Sequence, residues 1–333
     1  MTLRTIARAP RLYDLHPPAD RLWEDVRAGL ALRPRKLPPK YFYDEAGALL
    51  FDRITRLEAY YPTRTELRIL DRHMGEIVEA IGPSARILEL GSGSGLKTRH
   101  LLHHLLRPAS YMPVDISRAQ LMEFATSIAG ELPALEVLPV CADYTQEWTP
   151  PAGQAQAART VAFFPGSTIG NFEPDDAVAF LRRVRSLCGP GGGLLIGVDL
   201  HKDRPTLERA YNDGEGVTAA FNLNLLERIN RECGADFDTG AFRHHAFYDE
   251  RRRRIEMRLV STRHSTVTLP GRVPGGGEPP SEFHFEPLDF ITTEYSHKYT
   301  LPDFRELARA TGWSVERLWS DERCWFSVWL LRA

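Results

Sequence analysis

The stretch Arg86-Ile-Leu-Glu-Leu-Gly-Ser-Gly-Ser-Gly-Leu-Lys97-Thr98 constrains this chain more than any other. Ile87, Leu88 and Leu90 around Glu89 form a short apolar run of the kind a buried strand uses, and Gly91, Gly93 and Gly95 follow at alternate positions. Glycines there let the strand exit turn sharply and let a ligand approach the backbone, while Lys97 and Thr98 begin a helix. Strand, glycine turn and helix start together predict a site for a nucleotide-like ligand.

The segments after the loop decide the fold class. Periodicity predicts a helix over 97–106, a strand over 110–114, a helix over 118–130, strands over 136–140 and 159–164, a helix over 174–187 and a strand over 193–199. That alternation reads as α/β, a parallel doubly wound sheet. From Arg204 the pattern changes to a long helix over 206–231 that contains Tyr211-Asn-Asp-Gly-Glu-Gly216, then to strands over 244–248 and 255–264. Arg251-Arg-Arg-Arg254 falls between those strands and reads as a solvated turn. Gly271 and Gly275 to Gly277 among prolines make 270–280 a loop; a strand over 290–299, a helix over 302–311 capped by Thr300, and strands over 315–319 and 324–331 follow.

Upstream, residues 1–18 read as a loosely held arm, Asp20 as the cap of a helix over 21–30, and 47–56 as a further helix. Thr63 or Thr65 is placed to cap a longer helix running from Glu66 to about Ile81. The domain organisation expected is a Rossmann-like domain over 62–200 plus 297–333, and an inserted α+β substrate-binding domain over 1–61 plus 201–296.

Length and charge narrow the function. At 333 residues a sizeable core is possible, and a net charge of −2 gives no electrostatic case for nucleic acid or an anionic membrane. Cys141, Cys188, Cys233 and Cys324 stand far apart without a C-x-x-C pair, and the histidine pairs 103–104 and 244–245 lack a third ligand at useful spacing, so no metal is expected. No apolar signal region or membrane-spanning run is present, so a cytoplasmic protein is expected. The expected partner is a small molecule met by a monomer.

Two cofactors compete for the glycine loop. A dinucleotide site wants G-x-G-x-x-G, but position 96 is Leu; G-x-G-x-G with Glu89 two residues before suits S-adenosylmethionine, whose ammonium tolerates a nearby acid that would repel a pyrophosphate. Asp115 ends the next strand, placed for the ribose hydroxyls, and Asp143-Tyr144 after the following one suits the adenine amino group and ring face. Alone, Asp115 could be a helix cap and Asp143 a turn residue. Three sites in this order favour a class I S-adenosylmethionine-dependent methyltransferase.

The fourth strand ends not in Asn-Pro-Pro-Tyr but in Phe163-Phe-Pro-Gly166-Ser-Thr-Ile-Gly170-Asn171. With Phe42-Tyr43-Asp44, Tyr60-Tyr61-Pro-Thr-Arg-Thr-Glu66, Arg209-Ala-Tyr211-Asn-Asp, Arg254-Ile-Glu-Met257 and Thr293-Glu294-Tyr-Ser296-His-Lys298, it resembles the histidine Nα-methyltransferases of ergothioneine biosynthesis, over about 22–331. The resemblance implies trimethylation of the α-amine of free L-histidine to hercynine. It implies that Asn171, Tyr60 and Tyr211 hold the amino acid's amine and carboxylate and that Tyr43 lines the amine pocket, with Tyr43 and Asn171 the catalytic candidates. Glu294 and Ser296 would read the imidazole, and Met257 and Gly166 would shape the pocket. Gly91, Ser92, Gly93, Lys97, Asp115, Asp143 and Tyr144 would bind the cofactor, although Tyr144 stands where phenylalanine is expected.

Those residue types suit the chemistry. Displacement at a sulfonium needs positioning rather than a nucleophilic side chain or metal, and the amine must attack uncharged; its proton acceptor is left open between water, a tyrosine and a carboxylate. Glu294 and Ser296, two apart on a strand, share a face and can satisfy both nitrogens of an imidazole. Two alternatives stand beside this reading: an amine methyltransferase acting on tryptophan or another aromatic amino acid, and a non-catalytic adenosylmethionine-binding module.

Overall fold

In the computed structural model, which describes residues 10–16, 21–91, 95–271 and 279–333, the elements run in chain order as β1 (Tyr13–Asp14), α1 (Leu22–Ala31), β2 (Arg35–Lys36), α2 (Glu45–Arg56) and α3 (Tyr61–Ile81). The alternating stretch supplies β3 (Ala85–Leu90), α4 (Leu96–His104), β4 (Ser110–Asp115), α5 (Arg118–Glu131), β5 (Glu136–Val137), β6 (Val140–Cys141), β7 (Arg159–Phe164), α6 (Pro174–Cys188) and β8 (Gly193–Asp199). Next come α7 (Arg204–Tyr211), α8 (Val217–Cys233), β9 (Phe242–Asp249), β10 (Arg254–Ser261), β11 (Ser265–Leu269), β12 (Ser281–Phe285) and β13 (Phe290–His297). The last are α9 (Leu301–Ala310), β14 (Ser314–Ser320) and β15 (Phe326–Arg332). Two compact units share these elements, with boundaries after residues 17, 64, 200 and 298.

The first unit is built on one sheet in the order β1-β6-β4-β3-β7-β8-β15-β14. β3 runs parallel to β4 and β7, β7 parallel to β8, and only β15 reverses, antiparallel to β8 on one side and β14 on the other. Apolar residues line both faces because both are covered. Ile87, Val161 and Leu195 pack with Leu70 and Ile77 of α3, and Leu88, Ala162 and Ile196 pack with Phe180 and Leu181 of α6. This is the Rossmann-like doubly wound α/β sheet the sequence predicts. The chain leaves β3 toward β4 and returns to β7 on the other side, and that reversal opens a crevice at the strands' carboxyl ends.

Three local expectations change around this sheet. α3 starts at Tyr61 rather than Glu66, because Pro62 fits a first helical turn, where its missing N–H is not needed. The strand expected over 136–140 is two short pieces, β5 and β6. Tyr13 and Asp14, expected in a loose arm of the substrate domain, pair with Val140 and Cys141 and cover backbone that would otherwise be a sheet edge. Thr300 caps α9, as the sequence predicts, and the structure adds Asp303, which completes a capping box with it.

The second unit holds a four-stranded sheet, β2-β13-β10-β9, and the β11-β12 hairpin. The single helix expected over 206–231 is broken into α7 and α8. Asp213 accepts the backbone N–H groups of Val217 and Thr218, each at 2.8 Å, and Gly216 takes φ +72°, so Asn-Asp-Gly-Glu-Gly starts a new helix instead of continuing the old one. Arg254, expected in a solvated turn, is buried: it donates to Glu256 at 3.0 and 2.7 Å, and its guanidinium lies 3.5 Å from the Tyr295 ring centre. Asp20 and the arm up to residue 9, with 272–278 of the expected loop, lie outside the described residues. Among the described residues no helix is long and apolar enough to cross a membrane.

Candidate active site

In the first unit the cofactor candidates gather at the carboxyl ends of neighbouring parallel strands. Gly91 follows β3, Asp115 ends β4, and Asp143 and Tyr144 follow β6. Gly91 donates its N–H to Val114 O at 2.9 Å and takes φ +80°, and a Cβ placed on it would meet the Tyr144 ring at 3.5 Å. Gly95 is more restricted still: at φ +67°, a Cβ there would sit 2.0 Å from the Phe124 ring. Ser92 and Gly93 lie outside the described residues.

Tyr144 stands edge-on to Phe164 and Phe180, and burial pushes its phenol pKa up. Asp115 accepts from the Ser117 backbone N–H at 2.9 Å, and Asp143 from the N–H and hydroxyl of Thr145 at 2.8 and 2.6 Å, so each carboxylate is aimed by its own turn. A bare glycine turn against an aromatic ring, with carboxylates at two strand ends, fits an adenosine-bearing ligand.

Glu89 is buried, its carboxyl accepting from the hydroxyls of Thr98 and Tyr111, and desolvation pushes it up to about 8 against those two hydrogen bonds. The acid in this motif therefore ties β3 to α4 and β4.

Lys97, a cofactor candidate, is 2.5 Å from Glu66, whose buried carboxylate also takes the Gly166 N–H at 2.8 and 3.1 Å. Glu66 is not a site residue the sequence predicts; the signal it carries is an acid four residues before Leu70, on the helix face that packs into the core. Gly166 takes φ +82° after β7, and Asn171 ends the short helical turn Thr168–Asn171 that follows.

In the second unit the recognition candidates converge on one face of β10 and β13. Met257 pairs directly with Glu294 and Ile255 with Ser296, so these four side chains share a face. The register shifts between Met257 and Arg258, which leaves Thr293 as an extra residue. Its hydroxyl is anchored to Asn222 Oδ1 at 2.7 Å and to Met257 O at 3.2 Å. Burial raises the Glu294 carboxyl to about 7, with the Lys298 charge opposing.

Tyr211, at the end of α7, donates to Ser296 Oγ at 2.9 Å. Tyr60 meets the Tyr211 ring edge-on at 6.1 Å, Phe51 meets Tyr60 at 6.4 Å, and Tyr43 meets Phe51 at 5.4 Å. A run of aromatic rings therefore leads from Tyr43 to the Ser296 hydroxyl. Lys298, the last residue of the Thr293-Glu294-Tyr-Ser296-His-Lys298 motif, belongs to this cluster. Among the described residues no group of three or more His, Cys, Asp or Glu side chains is arranged to hold a metal ion.

A doubly wound sheet with one reversed strand, carrying a glycine turn and acidic strand ends at its switch point, defines a class I S-adenosylmethionine-dependent methyltransferase. Within that class the chain belongs to the family of histidine-specific, S-adenosylmethionine-dependent methyltransferases, whose model matches residues 22–333. It is 45% identical over 247 residues to the histidine N-alpha-methyltransferase of Mycolicibacterium smegmatis, covering 72% of this chain and 75% of that one. It is 39% identical over 305 residues to the histidine N-alpha-methyltransferase of Mycobacterium tuberculosis, covering 90% and 91%. Ergothioneine biosynthesis protein 1 of Neurospora crassa is 32% identical over 254 residues, 71% of this chain and 29% of that protein.

Proposed function

We propose that this chain places three methyl groups on the α-amine of free L-histidine, giving hercynine in the first step of ergothioneine biosynthesis, as a cytoplasmic monomer. The observation that carries this reading is the face shared by Met257, Glu294 and Ser296. A neutral imidazole has one N–H and one bare nitrogen; a carboxylate accepts from the first and a hydroxyl donates to the second.

S-adenosylmethionine supplies a methyl group on a sulfonium, a leaving group that needs no acid. The protein's task is then to orient the amine and leave it unprotonated. Tyr60, Tyr211 and Asn171 hold the amine and carboxylate in this reading, and Tyr43 lines the amine site. Aromatic rings around a nitrogen that becomes a permanent cation favour the later methylations. Gly91, Ser92, Gly93, Lys97, Asp115, Asp143 and Tyr144 hold the cofactor, with Lys97 shared between its carboxylate and Glu66, while Gly166 and Met257 shape the pocket.

An indole has no acceptor nitrogen and would leave the proton of the Ser296 hydroxyl without an acceptor on the ligand, which disfavours tryptophan. The test is incubation of the purified chain with the cofactor and each free amino acid, followed by mass spectrometry. Gains of one, two and three methyl groups on histidine are expected. A gain confined to tryptophan overturns the substrate, and no gain on any amino acid favours a binding module.

A further inference from the structure

Lys298 sits one residue beyond β13, on the parity of Glu294 and Ser296, and its backbone N–H is pinned to Arg253 O at 2.7 Å. The side chain is buried. Its ammonium donates to Ser296 Oγ at 2.7 Å and to the Tyr211 hydroxyl at 3.0 Å, and stands 5.0 Å from the Tyr211 ring centre. An ammonium can only donate, so one lone pair on each hydroxyl oxygen is claimed. The two hydroxyls are themselves 2.9 Å apart, and the phenol, the stronger acid, is the donor between them. Ser296 Oγ thus accepts twice, and what it offers a ligand is its own proton.

We infer that Lys298 is a positioning residue that fixes Ser296 as a hydrogen-bond donor and so commits the ring subsite to a heterocycle with one acceptor nitrogen facing Ser296 and one N–H facing Glu294. This rests on the assignment of that subsite to the histidine ring. Without the ammonium, the Ser296 hydroxyl can donate to Tyr211 or accept from a ligand N–H, and the subsite loses its preference.

The test uses calorimetric binding of histidine to the full chain with S-adenosylhomocysteine present, for Lys298→Met, Ser296→Ala and the double variant, with thermal melting to establish folding. Lys298→Met is expected to weaken histidine about 10- to 100-fold while leaving S-adenosylhomocysteine affinity within about twofold, as for a lost charged hydrogen bond in a buried site. The double variant is expected to bind no more than about threefold worse than Ser296→Ala, since both changes act on one hydroxyl. Additive losses, unchanged histidine affinity, or equal loss of both ligands overturns the proposal.

If Lys298→Met does not fold, the wild-type chain still decides. Histidine analogues carrying a pyrrol-2-yl or pyrrol-3-yl ring keep one N–H and lack the acceptor, and both are expected to bind at least about 10-fold worse than histidine. Equal binding by either means Ser296 is not a committed donor. A wild-type chain that neither binds nor methylates histidine overturns the substrate assignment together with the proposal, whereas normal histidine turnover with an indifferent Lys298→Met overturns the Lys298 role alone.

Discussion

Glu66 Oε2 lies 2.5 Å from Lys97 Nζ, and the same carboxylate receives the backbone N–H of Gly166. One buried acid on α3 thus holds the first turn of α4 after the glycine loop and the turn after β7. Both flank the switch point, so their spacing depends on a side chain outside either motif.

Removing that acid should cost stability before it costs chemistry. Glu66→Ala leaves a mostly buried ammonium and a backbone donor without their partner, and about 3 kcal/mol of folding stability is expected to go. Glu66→Gln keeps an acceptor for Gly166 and is expected to lose roughly half as much. Urea unfolding at neutral pH measures both, and equal losses would mean that the Gly166 hydrogen bond contributes nothing separable.

Glu89 should make the fold sensitive to alkali. Its carboxyl is held at about 8 in the folded chain against an ordinary 4.5, so between those values the folded state binds more protons than the unfolded one and stability falls as pH rises. Each unit of that shift corresponds to about 1.4 kcal/mol. Glu89→Gln retains an acceptor without the charge, so its melting temperature should move ahead of the wild type progressively from pH 5 to about pH 8. Parallel melting curves across that range contradict the burial argument.

Glu294 should give histidine binding a pH limb. In its proposed role the group accepts the ring N–H best as a carboxylate, and its raised value of about 7 means that acidification protonates it within the neutral range. Affinity for histidine is therefore expected to fall as pH drops through 7, and bound histidine, by favouring the ionised form, should lower that value. Calorimetric titrations from pH 6 to 8.5 should show the limb in the wild type and a flatter profile in Glu294→Gln; an unchanged limb in the variant would assign it to the ligand alone.

Gly91→Ala should strike the cofactor selectively. A Cβ at φ +80° costs about 1 kcal/mol of backbone strain, and it would occupy the face of the turn left bare for the ligand, in contact with the Tyr144 ring at 3.5 Å. S-adenosylhomocysteine affinity is expected to drop at least about 10-fold with a melting temperature only a few degrees lower. Intact affinity would place the adenosine elsewhere.

Much of this protein is legible locally. Alternating apolar runs mark the parallel strands, the glycines at 91 and 95 mark backbone with positive φ, and Thr300 marks a helix start, because periodicity, φ and capping are properties of a few consecutive residues. The helix expected over 206–231 fails at Asn212 to Gly216 because Asp213's carboxylate caps a second helix, a competition that helical periodicity does not register. The short reach of Tyr13 and Asp14 to β6 and the inward turn of Glu89 depend on strands far away in the chain.

The site divides in the same way. By itself the sequence determined the sheet, the glycine turn, the acids at the strand ends and the fact that Glu294 and Ser296 share one face of a strand, because each follows from spacing along the chain. Only the tertiary structure decided which face. The extra residue Thr293 reverses the parity of β13, so that Ile291 before it and Glu294 after it stand over the same side of β10, beside Met257. That reversal places Ser296, with Lys298 two residues further along, against Tyr211 of α7, a residue far away in the chain whose approach no periodicity within the strand registers.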